Sequence, residues 1–86
     1  MLELRPGCEC CDTDLPPDSE RARICTFECT FCADCADTLL QGHCPNCGGE
    51  LLPRPRRPAG KLANNPASTR RVLQAGLRER LTLPRP

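Results

Sequence analysis

The chain has 86 residues, nine of them cysteine, only two aromatic side chains (both Phe) and a formal charge of +1. That is room for one small domain with little apolar core, and such domains lean on disulfides or metal for their stability. No run of about 20 apolar residues is present to cross a membrane, and no basic segment followed by an apolar stretch opens the chain, so a secretory signal is not expected.

The near-neutral total hides a strong asymmetry. Residues 1–52 hold every cysteine, with ten acids against three arginines, a formal −7. Residues 53–86 hold nine basic residues and one acid, Glu79, a formal +8. The expected organisation is therefore a cysteine-rich head over 1–52 and a Pro/Arg-rich basic tail over 53–86, the tail either solvated or lying back on the acidic head. In chain order, the head begins with CECC (Cys8, Cys10, Cys11) and continues into DLPPDSE (14–20), a loop by its Pro-Pro and acid content. The runs around Ile24–Phe31 read as two very short β segments about a turn. ADCADTLLQG predicts a helix from Ala33 to Gln41, stopped by Gly42. Asp34 and Asp37 lie early in it, where the helix dipole favours negative charge, and Leu39 and Leu40 close the core. CPNC (Cys44, Cys47) reads as a metal knuckle, with Pro45 stiffening the turn and Gly48 and Gly49 permitting a tight exit. GGELL then adds a short strand. In the tail, PRPRRPAGK favours extended polyproline II backbone. A short helix is expected over 68–81, with Ser68 or Thr69 as cap and Leu73, Leu77 and Leu81 aligned at helical spacing. Gly76 weakens that helix by about 1 kcal/mol.

An odd number of cysteines would strand one thiol in an oxidising compartment, whereas a reducing cytosol keeps thiols available for metal. The expectation is a cytoplasmic metal protein. From Cys8 the spacing runs C-x2-C, C-x3-C, C-x2-C, C-x2-C. The eight positions are Cys8, Cys11, Cys25, Cys29, Cys32, Cys35, Cys44 and Cys47, with Cys10 left over. Eight thiolates make two four-sulfur sites, and soft sulfur in tetrahedral array selects zinc. Two structural Zn2+ ions are expected. Rubredoxin-like iron would need one four-cysteine site rather than eight thiols. Cys10 could displace Cys8 or Cys11 as a ligand, but Cys8 with Cys11 keeps the knuckle spacing, so it reads as spare, either a buried small apolar side chain or a reactive thiol. His43 reads as an exposed loop residue before the last knuckle.

The ordered spacing resembles the cross-brace of RING and related treble-clef zinc domains, with Cys29 where RING fingers commonly have His. The resemblance implies interleaved sites, Cys8, Cys11, Cys32 and Cys35 on one ion and Cys25, Cys29, Cys44 and Cys47 on the other. Crossing also closes long loops that a weak core cannot hold. Spacing alone leaves open a sequential pairing (Cys8, Cys11, Cys25, Cys29 and Cys32, Cys35, Cys44, Cys47) and a single ion with spare thiols. More closely, MLELRP, CECCDTDLPPDS, CTFECTFCADCA and CPNCGGELLPRPRRPA resemble a family of small bacterial cysteine-rich proteins, domain of unknown function 1272. That likeness implies a cytoplasmic bacterial zinc protein and no particular activity. The implied fold is a small metal-stabilised α+β domain, RING-like or treble-clef, with a β-hairpin, one short helix and a largely flexible basic tail.

Enzymatic chemistry is not expected. A catalytic zinc keeps an open coordination position, and eight sulfurs on two ions leave none. No His-Glu metalloprotease or deaminase pattern occurs, and Asp12 and Asp14 read as turn residues. Ubiquitin-ligase scaffolding is disfavoured because Glu9 and Cys10 stand where RING domains carry an apolar contact, and Leu39 and Leu40 stand where they often carry Trp. The leading expectation is a non-enzymatic adaptor that binds a protein partner. Nucleic-acid association through residues 53–86 is an alternative, although the tail has no aromatic for base stacking. A zinc-thiolate redox switch through Cys10 is another.

Overall fold

β-branched and aromatic residues suit pleated backbone, and the two short runs that carry them pair as expected. The computed structural model describes residues 1–77 of the chain. In it β1 (Ala22–Ile24) lies antiparallel to β2 (Thr30–Cys32), with Ala22 opposite Cys32 and Ile24 opposite Thr30. The strand expected after Cys47 is β3 (Leu52–Pro53), which joins the other side of β1 in the order β2-β1-β3. Pro53 thereby occupies an edge strand, where its missing N–H is tolerated. β2 runs directly into α1 (Ala33–Asp37), and α2 (Ala59–Leu62) is a single turn in the tail. The result is a small α+β domain built on a three-stranded antiparallel sheet.

The helix stops at Asp37 rather than at the expected Gln41. Thr38 donates both its N–H and its hydroxyl to the Asp34 carbonyl. Beyond it, Leu40 N–H reaches Cys35 O (2.9 Å) and Gly42 N–H reaches Ala36 O (2.7 Å), wider closures that unwind the chain. Gly42 holds the stop position with φ 80, a left-handed conformation that glycine adopts without steric cost. The reversal delivers Cys44 back toward the hairpin turn.

Two knuckle hairpins share one backbone design. Gly7 bridges Asp14, and His43 bridges Glu50, both antiparallel. In the first, Cys8 N–H donates to Thr13 O, Leu15 N–H to Pro6 O and Asp12 N–H to Cys8 O. In the second, Cys44 N–H donates to Gly49 O, Leu51 N–H to Gly42 O and Gly48 N–H to Cys44 O. Each hairpin ends on a leucine that enters the core, Leu15 and Leu51. The core joins them to Phe31, Ala22, Ala36, Leu40 and Leu77, with cysteines filling much of the rest. Phe27 is 72 % exposed. It lies in the turn after Cys25 with its N–H aimed at that sulfur, and its ring is left in solvent.

The tail lies back on the head. Arg54 is only 4 % exposed, not solvated as a flexible tail residue would be. Its guanidinium donates to Arg5 O (2.9 Å), Leu15 O (3.2 Å) and Pro16 O (2.8 Å). Arg57 donates to Leu2 O and Asn65 O. The division at residue 53 thus runs through paired structure. Residues 68–76 are not helical, and the rest of the 68–81 segment, from residue 78, lies outside the described residues. Ser68 N–H donates to Glu3 O and Gln74 N–H to Glu9 O, so these donors are committed to the head and not to a preceding helical turn. Replacing Arg54 by Ala leaves three inward carbonyls without their charged donor. It is expected to cost about 2–3 kcal/mol, read as a lowered denaturation midpoint of the metal-loaded protein.

Candidate metal centre

A sulfur that binds a cation must ionise, and an amide N–H pointed at it favours the anion. Among the described residues, amides seen to do this serve Cys8, Cys25, Cys32, Cys44 and Cys47. Cys10 N–H donates to Cys8 Sγ, Phe27 to Cys25, Asn46 to Cys44 and Gly49 to Cys47, each at 3.4 Å. Cys35 N–H donates at 3.5 Å to the sulfur of Cys32, which is the N-cap of α1. Left-handed backbone at Asp12 (φ 62) and Gly48 (φ 75) closes the first and last knuckles immediately after their second cysteine.

These local turns assemble into two groups. The sulfurs of Cys8, Cys11, Cys32 and Cys35 all lie within 4.8 Å of one another, as do those of Cys25, Cys44 and Cys47. Four sulfurs at about 2.3 Å from one zinc ion stand about 3.8 Å apart. Cys11 and Cys32 are 3.7 Å apart, already at that spacing. The donor chemistry and the separations both fit a tetrahedral thiolate site. The grouping of the sulfurs is crossed, because the first knuckle meets the β2–α1 junction and skips the intervening hairpin turn. Glu9 brings this about. Its N–H donates to Thr30 O (2.9 Å), while its carboxylate accepts from Thr30 N–H (2.7 Å), which lays the first knuckle beside β2.

Cys29, expected as the fourth member of the second group, is not among those three. Its carbonyl accepts from Cys25 N–H (3.3 Å) across the turn. Its sulfur accepts from the Asn46 side-chain amide (3.4 Å), which holds it to the rim of the last knuckle. Cys10 is buried and belongs to neither group. His43 is exposed and pairs through its backbone with Glu50. Asp12 and Asp14 both meet Arg71, which makes them more than turn residues.

Without a cation, the sulfurs compete for charge. Burial pushes the Cys11 thiol up, but hydrogen bonds from Thr13, Cys8 and Cys32 outweigh it and bring Cys11 down to about 7. Burial, with Cys32 and Cys8 close by, pushes Cys35 well up. Burial and the neighbouring Cys25 and Cys47 push Cys44 up to about 12. Protons therefore stay on Cys35 and Cys44 unless a cation draws them off.

Two features of the site are not foreseen by reasoning from the sequence. Glu9 is 2 % exposed and binds Arg5 Nη1 at 2.9 Å, a buried charge sitting between two cysteines. The kinship of the knuckles was visible in principle, since both read C-x2-C-x2-(acid)-Leu, at Cys8–Leu15 and Cys44–Leu51.

Residues 1–57 match the family described as "Protein of unknown function (DUF1272)". The chain belongs to this family. A relative from Rhizobium meliloti (strain 1021), titled "Uncharacterized protein R02474", is 72% identical over 74 residues, covering 86% of this chain and 88% of the relative. No solved structure matches the chain. The crossed cysteine groups are accordingly a feature of a DUF1272 chain.

Metal must displace protons from these thiols, so raising the pH favours binding. Because Cys35 and Cys44 are held protonated at neutral pH, the apparent Co2+ affinity is expected to rise at least about tenfold per pH unit between about pH 6 and 8. Thiolate-to-cobalt absorption measures it. Native mass spectrometry is expected to find two ions in the wild type and in Cys10→Ser, and one fewer in Cys35→Ser.

Proposed function

We propose that this protein is a structural zinc protein of the cytoplasm with no catalysis of its own, an adaptor that offers a surface to a protein partner. The observation that carries the reading is the crossing of the cysteine groups, each sulfur-lined and supplied with amide donors. In this reading Cys8, Cys11, Cys32 and Cys35 hold one ion. Cys25, Cys44 and Cys47 hold the other, with Cys29 turning from Asn46 to complete the set, as in a RING-like or treble-clef cross-brace. Structural zinc of this kind contributes about 10–16 kcal/mol per site in small peptides, enough to replace a missing core.

The partner face in this reading surrounds Phe27 and Leu52, exposed at 72 % and 57 %. Leu52 lines an open groove of about 420 Å3 together with Leu2, Ile24, Pro53, Glu28 and Glu50, and Phe27 lies in the chain between Thr26 and Glu28 of its wall. A partner with apolar and basic side chains suits it. The nucleic-acid reading loses support from the tail itself, because Arg54, Arg57 and Arg71 are engaged with head carbonyls and carboxylates. The test is co-purification from the source cells with the wild type and with Phe27→Ser/Leu52→Ser. Loss of a common partner by about tenfold or more, with metal content unchanged, supports the adaptor reading. Binding of the same partner by both forms, or of none by the wild type, counts against it.

A further inference from the structure

The segment 68–77 lies beyond the residues that match the family, and it contributes no cysteine to either group. We propose that it is a strap that positions the Cys8–Cys11 knuckle, so that docking of residues 68–77 and metal binding by Cys8, Cys11, Cys32 and Cys35 strengthen each other. The inference rests on reading that group as a metal site.

The strap grips the knuckle between its two cysteines and just past the second. Between the cysteines, Gln74 N–H donates to Glu9 O (2.8 Å) and Gln74 Nε2 to Glu9 Oε1 (3.1 Å). Just past Cys11, Arg71 donates from Nη2 to Asp12 O (2.7 Å) and from Nε to Asp12 Oδ1 (3.0 Å), and it pairs with Asp14 (2.9 Å). Asp12 is the residue whose left-handed backbone closes the knuckle. Leu77 then enters the same apolar cluster as Cys8 and Cys10. A Cβ at Gly7, the residue before Cys8, would stand 2.8 Å from Arg71 Nη2, so the guanidinium rests directly on the knuckle backbone.

Glu9 carries the coupling further. While Oε1 takes Gln74, Oε2 takes Thr30 N–H and Arg5 Nη1. One buried carboxylate thus joins the strap, the first knuckle and β2, the strand that delivers Cys32. These are the parts that must meet for four sulfurs to surround an ion. The last knuckle is built on the same backbone but has Pro45 in the place of Glu9 and Gly48 in the place of Asp12. Neither offers a side-chain acceptor, and the group of Cys25, Cys44 and Cys47 serves as an internal control. Such coupling is reciprocal by linkage. Partners one layer outside a metal's ligands typically change its affinity about 10–100-fold.

The test uses the full chain and its Arg71→Ala/Gln74→Ala variant, loaded with Co2+ and titrated with a chelator. Absorption and native mass spectrometry follow each equivalent of metal. The expected result is that one equivalent loosens about 10–100-fold while the other is unchanged. Two unchanged equivalents, or two that weaken alike, overturn the strap alone. A wild type that binds no metal overturns both the strap and the metal reading beneath it. Amide hydrogen exchange tests the coupling from the other side, without requiring that variant to fold. In Cys35→Ser, residues 68–77 are expected to lose protection while residues 42–51 keep theirs, and in Cys47→Ser residues 68–77 keep theirs. Equal loss in both segments of Cys35→Ser, or unchanged protection of 68–77, refutes the coupling.

Discussion

A buried sulfur anion needs compensation, and here backbone amides turned toward the sulfurs supply part of it. Turning an N–H toward the sulfur two residues back sets the dihedrals of the whole knuckle, and the rest follows. The chain after the second cysteine must adopt left-handed backbone, at Asp12 and at Gly48. It then returns antiparallel to its approach, and the leucine that ends each return points into the core. The core is thus arranged around the cysteines rather than the cysteines around the core, as expected where Phe31 is the one aromatic side chain that is fully buried.

The opposed charges of head and tail meet mostly through hydrogen bonds to backbone. Arg54 and Arg57 donate to carbonyl oxygens of the N-terminal segment and the following loop. Guanidinium suits this because several planar donors stay charged at any ordinary pH. Ion pairs such as Arg56 with Glu20 and Arg21 with Asp34 are exposed on both sides and contribute little. The exception is Arg5 with Glu9, where a buried carboxylate ties a cysteine knuckle to its surroundings.

Much of the head was legible because its determinants are local. Cysteine spacing marks the knuckles, β-branched and aromatic residues mark β1 and β2, and Gly42 marks where the helix must have stopped. The length of α1 was not legible, since the closures at Leu40 and Gly42 reflect where Cys44 has to go. Glu9 and Arg54 look like surface charges in one dimension. Their acceptors and donors lie far off, from Arg54 to Arg5 and from Glu9 to Gln74, and a backbone carbonyl leaves no trace in a sequence. The leucine spacing suggested a helix through residues 68–76, where none forms, for the same reason. Periodicity is silent about amides already bound elsewhere.

The two-way contact between Glu9 and Thr30 has a consequence for loop closure as well. An unfolded chain that meets a metal ion can close Cys11 onto Cys25, 14 residues away (25 − 11), or onto Cys32, 21 residues away. Closure entropy separates those loops by only about 0.4 kcal/mol, too little to choose between them. The two-way bond of Glu9 with Thr30 accompanies the crossed arrangement. Its weight falls on the side of the longer loop, so a buried carboxylate rather than loop length tips the chain toward its crossed cysteine groups.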